Sequence, residues 1–137
     1  MNKTPELVMP AGTLEKLKFA CAYGADAVYA GIPKFSLRAR TNSFTESQLT
    51  EGITYAHERG VKMYITLNIF AHNNRIQPSL QALQRLMELD PDRRPDAVIM
   101  SDPGLIMLAR QEFPDLELHL STQTNTMNWA AIRFWKE

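Results

Sequence analysis

Residues 96–129, DAVIMSDPGLIMLARQEFPDLELHLSTQTNTMNW, contain the pattern of one strand, one helix and a second strand. Asp96–Asp102 is a short run of mainly apolar residues. Asp102 followed by Pro103 is typical of a helix N-cap with proline in the first turn. After the helix, Glu117–Gln123 alternates polar and apolar residues, as a half-buried strand does. Such a unit normally closes right-handed with its two strands parallel, so the stretch predicts an α/β fold.

Ligands bind to parallel α/β folds where strands pass into helices. In this stretch those positions are Ser101, Asp102, Gln123, Asn125 and Asn128. Ser101 and Asp102 can be interpreted as a nucleophile and an acid. The pattern favours Asp102 as a helix cap instead.

The bulk composition is that of one soluble globular domain. The 137 residues include 15 basic and 15 acidic side chains, and 45% of the residues are hydrophobic, so no overall charge draws the chain to nucleic acid or membrane. Cys21 is the single cysteine, which excludes an internal disulfide and cannot alone hold a zinc or iron–sulfur centre, so no cofactor held by this chain alone is expected. No signal peptide or apolar membrane span is present in the sequence. These features predict a cytoplasmic protein without a membrane partner.

The same alternation of strand and helix runs through the whole sequence. The predicted strands are Glu6–Pro10, Asp26–Gly31, Val61–Asn68, Asp96–Asp102 and Glu117–Gln123. Each is followed by a predicted helix, and one polar loop is expected at Ile69–Ile76. A helix start at Thr45 and Gln48 is indicated by a capping box. The pattern therefore predicts a parallel sheet covered by helices.

The two faces of these strands differ in polarity, which bears on the kind of sheet. One face is apolar, whereas the other collects polar and aromatic side chains: Glu6, Tyr29, Tyr64, Thr66, Asn68, His119, Ser121, Gln123 and Asn125. A doubly wound sheet buries both faces under helices, but one face of a barrel looks into a lumen. We therefore predict the leading five units of a TIM-type (β/α) barrel, forming over residues 1–137 a single incomplete domain that is the N-terminal portion of a longer protein. A flavodoxin-like open sheet of five strands is the alternative.

Five segments together resemble peptidase family U32, and within it the bacterial tRNA-hydroxylation members. They are ELVMPAGTLEKLKFACAYGADAVYAG (6–31), SLRAR (36–40), NIFAHN (68–73), SDPGLIMLAR (101–110) and HLSTQTNTMNW (119–129). The resemblance implies a barrel and hydroxylation of the wobble uridine of tRNA, with prephenate as an accessory metabolite. It further implies that tRNA is a partner and that an iron–sulfur cluster is held by cysteines beyond Glu137.

Candidate ligand contacts follow three of the predicted strands. Arg38 and Arg40 lie on an unusually long connection and are the best candidates for binding an anion. Asn68, His72 and Asn73 follow the third strand. Ser121, Gln123 and Asn125 bring uncharged donors and acceptors to the end of the fifth strand, where they suit a hydroxyl, a carboxylate or a base edge. His119, within that strand, is expected to form a structural hydrogen bond near Ser121 or with Glu6.

Three functional hypotheses remain open at this point, and none of them identifies catalytic residues. The first is the N-terminal part of a tRNA uridine hydroxylase, which is expected to be inactive alone. The second is a collagenase-like peptidase, although the sequence has no H-E-x-x-H metal motif and no recognisable pairing of Ser or Cys with His. The third is a non-catalytic half-barrel that assembles with other chains, or with itself, through open strand edges.

Overall fold

The computed structural model describes residues 4–36 and 44–136 and contains five strands and five helices in strict alternation. In chain order they are β1 (Val8–Pro10), α1 (Leu14–Ala22), β2 (Ala27–Gly31), α2 (Glu46–His57), β3 (Lys62–Leu67), α3 (Asn73–Met87), β4 (Ala97–Met100), α4 (Pro103–Glu112), β5 (Leu118–Leu120) and α5 (Trp129–Lys136). A 3-10 turn, Thr122–Thr124, lies between β5 and α5.

The sheet is parallel throughout and its strands lie side by side in sequence order, β1-β2-β3-β4-β5. A flavodoxin-like sheet has the order 2-1-3-4-5 because its chain reverses direction after the first unit. The flavodoxin-like alternative is therefore wrong. Sequential order is the arrangement of a (β/α) barrel, in which each new strand is added at the same edge.

All five helices pack on one face of this sheet. The main core combines buried strand residues such as Val28, Met63 and Val98 with helix residues such as Leu17 and Ile53. A second cluster on the opposite face consists of strand residues only: Ala27, Tyr64 and Ala97, with Tyr29 and Ile99 packed against them. One face thus meets helices and the other faces a lumen, which confirms the predicted leading part of a TIM-type barrel.

Local capping signals place the helices. Thr45 Oγ1 accepts a hydrogen bond from the backbone of Gln48, and the Gln48 side chain accepts one from the Thr45 backbone, which confirms the predicted capping box at the start of α2. The helix is followed by Gly60 with a φ of 69°, a left-handed conformation that glycine adopts without strain.

Several predicted element bounds were wrong. Every strand is shorter than predicted, and the fifth ends at Leu120 because Ser121 caps the 3-10 turn: its hydroxyl accepts from the Gln123 backbone. Ile69–Ile76 is not a loop throughout, since α3 begins at Asn73. His72 precedes this helix without capping it through its side chain, so the usual signal for a helix start is missing.

The two outer strands of the described sheet are β1 and β5, as predicted. Apolar side chains on α5 lie uncovered beside the β5 edge: Trp129 is 76% exposed and Phe134 is 69% exposed. Trp135, on the same helix, is instead half-buried against the core. None of the helices in residues 4–36 and 44–136 has the length and hydropathy that a membrane span requires.

Candidate functional site at the carboxyl ends of the strands

A cavity of about 330 Å³ opens on the lumen face, at the carboxyl ends of the strands. Its lining combines apolar side chains with hydroxyls and amides: Val8, Tyr29, Ser36, Thr66, Asn68, Ile99, Leu120, Ser121, Thr122 and Gln123. Among residues 4–36 and 44–136, no Lys, Arg, Asp or Glu belongs to this lining. The cavity therefore offers a small ligand neutral hydrogen-bonding groups on an apolar floor.

Gln123 is held in the cavity wall by two serine hydroxyls. Ser101 Oγ donates to Gln123 Oε1 over 2.7 Å, and Ser121 Oγ donates to the same oxygen over 2.8 Å. Ser101 and Ser121 are only 2% and 9% exposed. These bonds connect the end of β4 to the end of β5, so the two strand-to-helix transitions predicted from residues 96–129 meet at one point.

The structure brings together three of the predicted site residues: Asn68, Ser121 and Gln123 all line the cavity. Three other predicted site residues do not line the cavity. His72 and Asn73 are exposed at the start of α3, and Asn125 is exposed in a left-handed conformation after the 3-10 turn, with a φ of 52°. Gln123 and Asn125 were expected on a strand face, and this was wrong because the strand ends before them. Arg38 and Arg40 lie outside the described residues.

Asp102 has a structural task that the sequence predicted. Its Oδ1 accepts a hydrogen bond from the Leu105 backbone over 2.9 Å and thereby caps α4. Its Oδ2 accepts a second bond, over 3.1 Å, from the backbone of Ala71 in the segment that follows β3. With both oxygens engaged, Asp102 anchors the segment next to Asn68 to the start of α4.

A hydrogen-bonded cluster lies on the same face of the sheet, at the amino ends of the strands, where Glu6 and Lys62 are exposed. Glu6 accepts from Tyr64 Oη over 2.9 Å and from Lys62 Nζ over 3.1 Å. The bond from Lys62, followed by the bond from Tyr64, lowers the pKa of the Glu6 carboxyl, and the bond to Glu6 raises the pKa of Lys62. Burial, followed by the bond to Glu6, raises the pKa of the Tyr64 phenol.

His119 lies beside this cluster with a partner other than the expected ones. Its Nε2 is 2.9 Å from Glu117 Oε1, and its ring meets the Tyr64 ring edge-on with centroids 4.8 Å apart. The expected bonds near Ser121 or with Glu6 were wrong, because Glu6 is engaged by Tyr64 and Lys62 and Ser121 by Gln123. His119 is thus a packing and hydrogen-bonding residue of the lumen wall.

The lowered pKa of Glu6 predicts a loss of stability in acid. Because the folded-state pKa lies below the ordinary value of 4.5, the stabilisation is present above that value and is lost as the pH falls through the folded-state pKa. Glu6→Gln should therefore flatten the acid limb of the unfolding free energy, measured by urea titration at a series of pH values. Glu15→Gln, an exposed glutamate on α1, is the matched control. An unchanged acid limb in Glu6→Gln would contradict the prediction.

Two hydroxyl-bearing residues of the cavity lining were not recognised from the sequence. Ser36 and Thr122 line the cavity, and Ser36 is only 7% exposed. Ser36 falls in the connection after β2, which the sequence marked as unusually long. That length was the available signal, but a single serine in a loop carries no periodicity that would show which way it faces.

The described residues do not form a metal centre. No group of three or more His, Cys, Asp or Glu side chains in residues 4–36 and 44–136 is placed to hold a metal ion. Cys21, the single cysteine of the sequence, is half-buried on α1, on the helix side of the sheet, where burial raises the pKa of its thiol. An iron–sulfur cluster typically takes four cysteine ligands, so the side chains of this chain do not fit one.

Residues 12–137 match the family model described as peptidase family U32. The chain belongs to peptidase family U32. It is 50% identical over 133 residues to the tRNA hydroxylation protein P of Haemophilus influenzae and, equally, to that of Escherichia coli. It is also 36% identical over 132 residues to a collagenase of Porphyromonas gingivalis.

These U32 relatives are much longer than the chain. The match with each of the two tRNA hydroxylation proteins includes 97% of this chain. The chain spans only 28% of the length of either relative, in its N-terminal part. The solved structure of the U32 peptidase Mk0906 superposes with a TM-score of 0.66 at 15% identity, covering 90% of the chain and 51% of that structure. This structural similarity supports the fold and carries no statement about activity.

Proposed function

We propose that the chain forms the N-terminal five units of a barrel in a longer tRNA-modifying protein, which hydroxylates wobble uridine. The observation that carries the proposal is the 50% identity, over 97% of the chain, to proteins named tRNA hydroxylation protein P. tRNA is then the macromolecular partner. Within that protein the chain contributes five of the strands of the barrel wall, because a full barrel has eight.

The part played by these residues is to bind a small carboxylate metabolite, such as prephenate, at the mouth of the barrel. Support comes from the cavity, whose neutral donors lie at the carboxyl ends of the strands, where barrels bind their ligands. Ser36 lines this cavity and precedes Arg38 by two residues in the sequence. A guanidinium group from that connection would supply the positive charge that the described lining lacks.

An iron–sulfur cluster, if the full-length protein uses one, would depend on cysteines outside this chain. The single cysteine is packed on the helix side of the sheet, away from the lumen. The residues of this chain therefore contribute ligand binding and would not hold a cluster.

A peptidase activity is the second candidate, since the collagenase of Porphyromonas gingivalis is also a relative. The described geometry does not favour it. The buried serines Ser101 and Ser121 both donate to the Gln123 amide, and His119 bonds Glu117, so these groups are not arranged as a nucleophile with its base. Release of peptides from denatured collagen by the purified full-length protein would support this candidate.

Mass spectrometry of tRNA from a strain lacking the gene tests the proposed function. Wobble uridine hydroxylation should be lost and should return when the full-length gene is supplied. Growth and total tRNA content serve as controls for general effects. An unchanged modification profile in the deletion strain would overturn the proposal.

Loss of either arginine should weaken binding of the small anion. In the full-length protein, Arg38→Ala and Arg40→Ala should each reduce the affinity for prephenate by about 1.5 to 3 kcal/mol, the value of a hydrogen bond to a charged group. Isothermal titration calorimetry measures this. Arg110→Ala, an exposed arginine on α4, is the control. Wild-type affinity in both variants would show that this connection does not bind the anion.

A further inference from the structure

The orientation of the Gln123 amide defines what the cavity wall presents to a ligand. Two hydroxyls converge on Oε1: Ser101 Oγ at 2.7 Å and Ser121 Oγ at 2.8 Å. Ser121 Oγ also accepts from the Gln123 backbone N–H over 3.4 Å, so its own proton is available for the amide oxygen. The carbonyl half of the amide is therefore occupied by two donors.

The amide nitrogen of Gln123, Nε2, remains available to a ligand. An amide nitrogen carries two N–H donors, and no described residue accepts a hydrogen bond from Gln123 Nε2. The Gln123 side chain belongs to the cavity lining, together with Thr66 and Asn68 from the end of β3. The Gln123 side chain therefore offers a ligand the N–H donors of its Nε2.

We infer that Gln123 is a specificity-determining residue that binds an acceptor group of the ligand, a carboxylate or carbonyl oxygen, through its Nε2. This deepens the proposed function and rests on it. A free amide could pair with a ligand donor through its oxygen or with a ligand acceptor through its nitrogen, whereas an amide whose oxygen is occupied pairs only with an acceptor.

Ser101 is a positioning residue in this arrangement. It is 2% exposed and lies directly after β4, so it reaches the ligand only through Gln123. Ser121 has a second structural task because its hydroxyl caps the 3-10 turn. Ser101 thus gives the clearer test of positioning.

The experiment uses the full-length protein with prephenate as the probe, and measures both calorimetric affinity and restoration of tRNA hydroxylation in a deletion strain. Gln123→Glu keeps an oxygen for the two serines but replaces the donors with an acceptor, so affinity should fall roughly 10- to 100-fold, the equivalent of one or more lost hydrogen bonds to a charged group. Gln123→Leu should give a similar loss. Gln81→Glu, at an exposed position of α3, is the matched control and should bind as wild type.

Ser101→Ala distinguishes positioning from general support of the fold. It should weaken prephenate binding in the wild-type background and have no further effect in the Gln123→Leu background, because its partner is already gone. A purely structural serine would weaken binding equally in both backgrounds. Melting temperatures confirm that each variant is folded, and if Gln123→Glu does not fold, Gln123→Leu carries the test.

The outcomes separate the two proposals. If the wild-type protein restores hydroxylation and binds prephenate but both Gln123 variants bind as tightly, the inference is overturned and the proposed function stands. The wild-type protein could also restore hydroxylation without binding prephenate. In that case, undiminished hydroxylation in both Gln123 variants overturns the inference, whereas loss of hydroxylation in both variants supports it. If the wild-type protein neither restores hydroxylation nor binds prephenate, both proposals fail.

Discussion

The 137-residue chain on its own is expected to sediment at micromolar concentration as dimers and larger species, not as a stable monomer. The described sheet ends at β1 and β5, and outer strands present unpaired N–H and C=O groups that recruit other strands. Beside β5, the side chains of Trp129, Ile132 and Phe134 are each at least 60% exposed. Analytical ultracentrifugation over a concentration series measures the effect.

Charged substitutions on α5 locate the association surface. Ile132→Glu combined with Phe134→Glu should shift the distribution toward monomer, because a buried unpaired carboxylate is costly in an apolar interface. Met107→Glu is the control, because Met107 is a comparably exposed apolar residue, 54% exposed, that lies on α4 and not on α5. A cooperative, stable monomer of the unmodified chain would contradict the prediction and show that the open edges are protected by some other means.

The barrel architecture could be predicted from the sequence because it depends on a pattern repeated along the whole chain. Five apolar runs alternate with helical periodicity, and one parity of the strands carries polar and aromatic residues such as Tyr64, Thr66 and His119. Their neighbours of opposite parity enter the helix-covered core. A polar strand face indicates a lumen, whereas an apolar one indicates a second layer of helices. The sequential order of the strands in the sheet agrees with a lumen.

The element boundaries could not be predicted because they depend on single hydrogen bonds. Ser121, read as the next residue of an alternating strand, instead caps a 3-10 turn. The start of α3 carries no side-chain cap, so the usual sequence signal for a helix start is absent. Pro78 lies inside that helix, although proline usually marks a helix end or first turn. Capping and turn bonds of this kind compete with the strand pattern locally and leave no periodic trace.

The candidate site was predictable in its position and only partly in its members. Strand ends on one side of a parallel sheet converge, so Asn68, Ser121 and Gln123 were expected together and do line one cavity. The bond between Ser101 and Gln123 joins residues 22 positions apart, on neighbouring strand ends. Only the register of β4 against β5 brings them together, and the sequence does not specify that register.

A short motif that begins with aspartate occurs twice at the start of a strand, and its aspartates are expected to stabilise the fold. Residues 26–28 and 96–98 both read Asp-Ala-Val, before and within β2 and β4. In each case the aspartate Oδ2 accepts a backbone N–H of the preceding strand region, from Leu7 for Asp26 and from Met63 for Asp96, both over 2.7 Å. The two aspartates therefore tie each strand to its neighbour.

Asp96→Ala is expected to lower the free energy of unfolding by about 2 to 4 kcal/mol, because two hydrogen bonds are lost and one donor is left buried. Met63 is fully buried, and Asp96 Oδ2 also lies 2.8 Å from His57 Nε2. Asp26→Ala should cost less, about 1 kcal/mol, since Leu7 is 47% exposed and water can replace the carboxylate. Urea denaturation of the full-length protein measures both changes, with Asp92→Ala as the control because Asp92 contacts His57 only through its backbone carbonyl. Equal losses for Asp26 and Asp96 would show that the burial of the donor does not decide the effect.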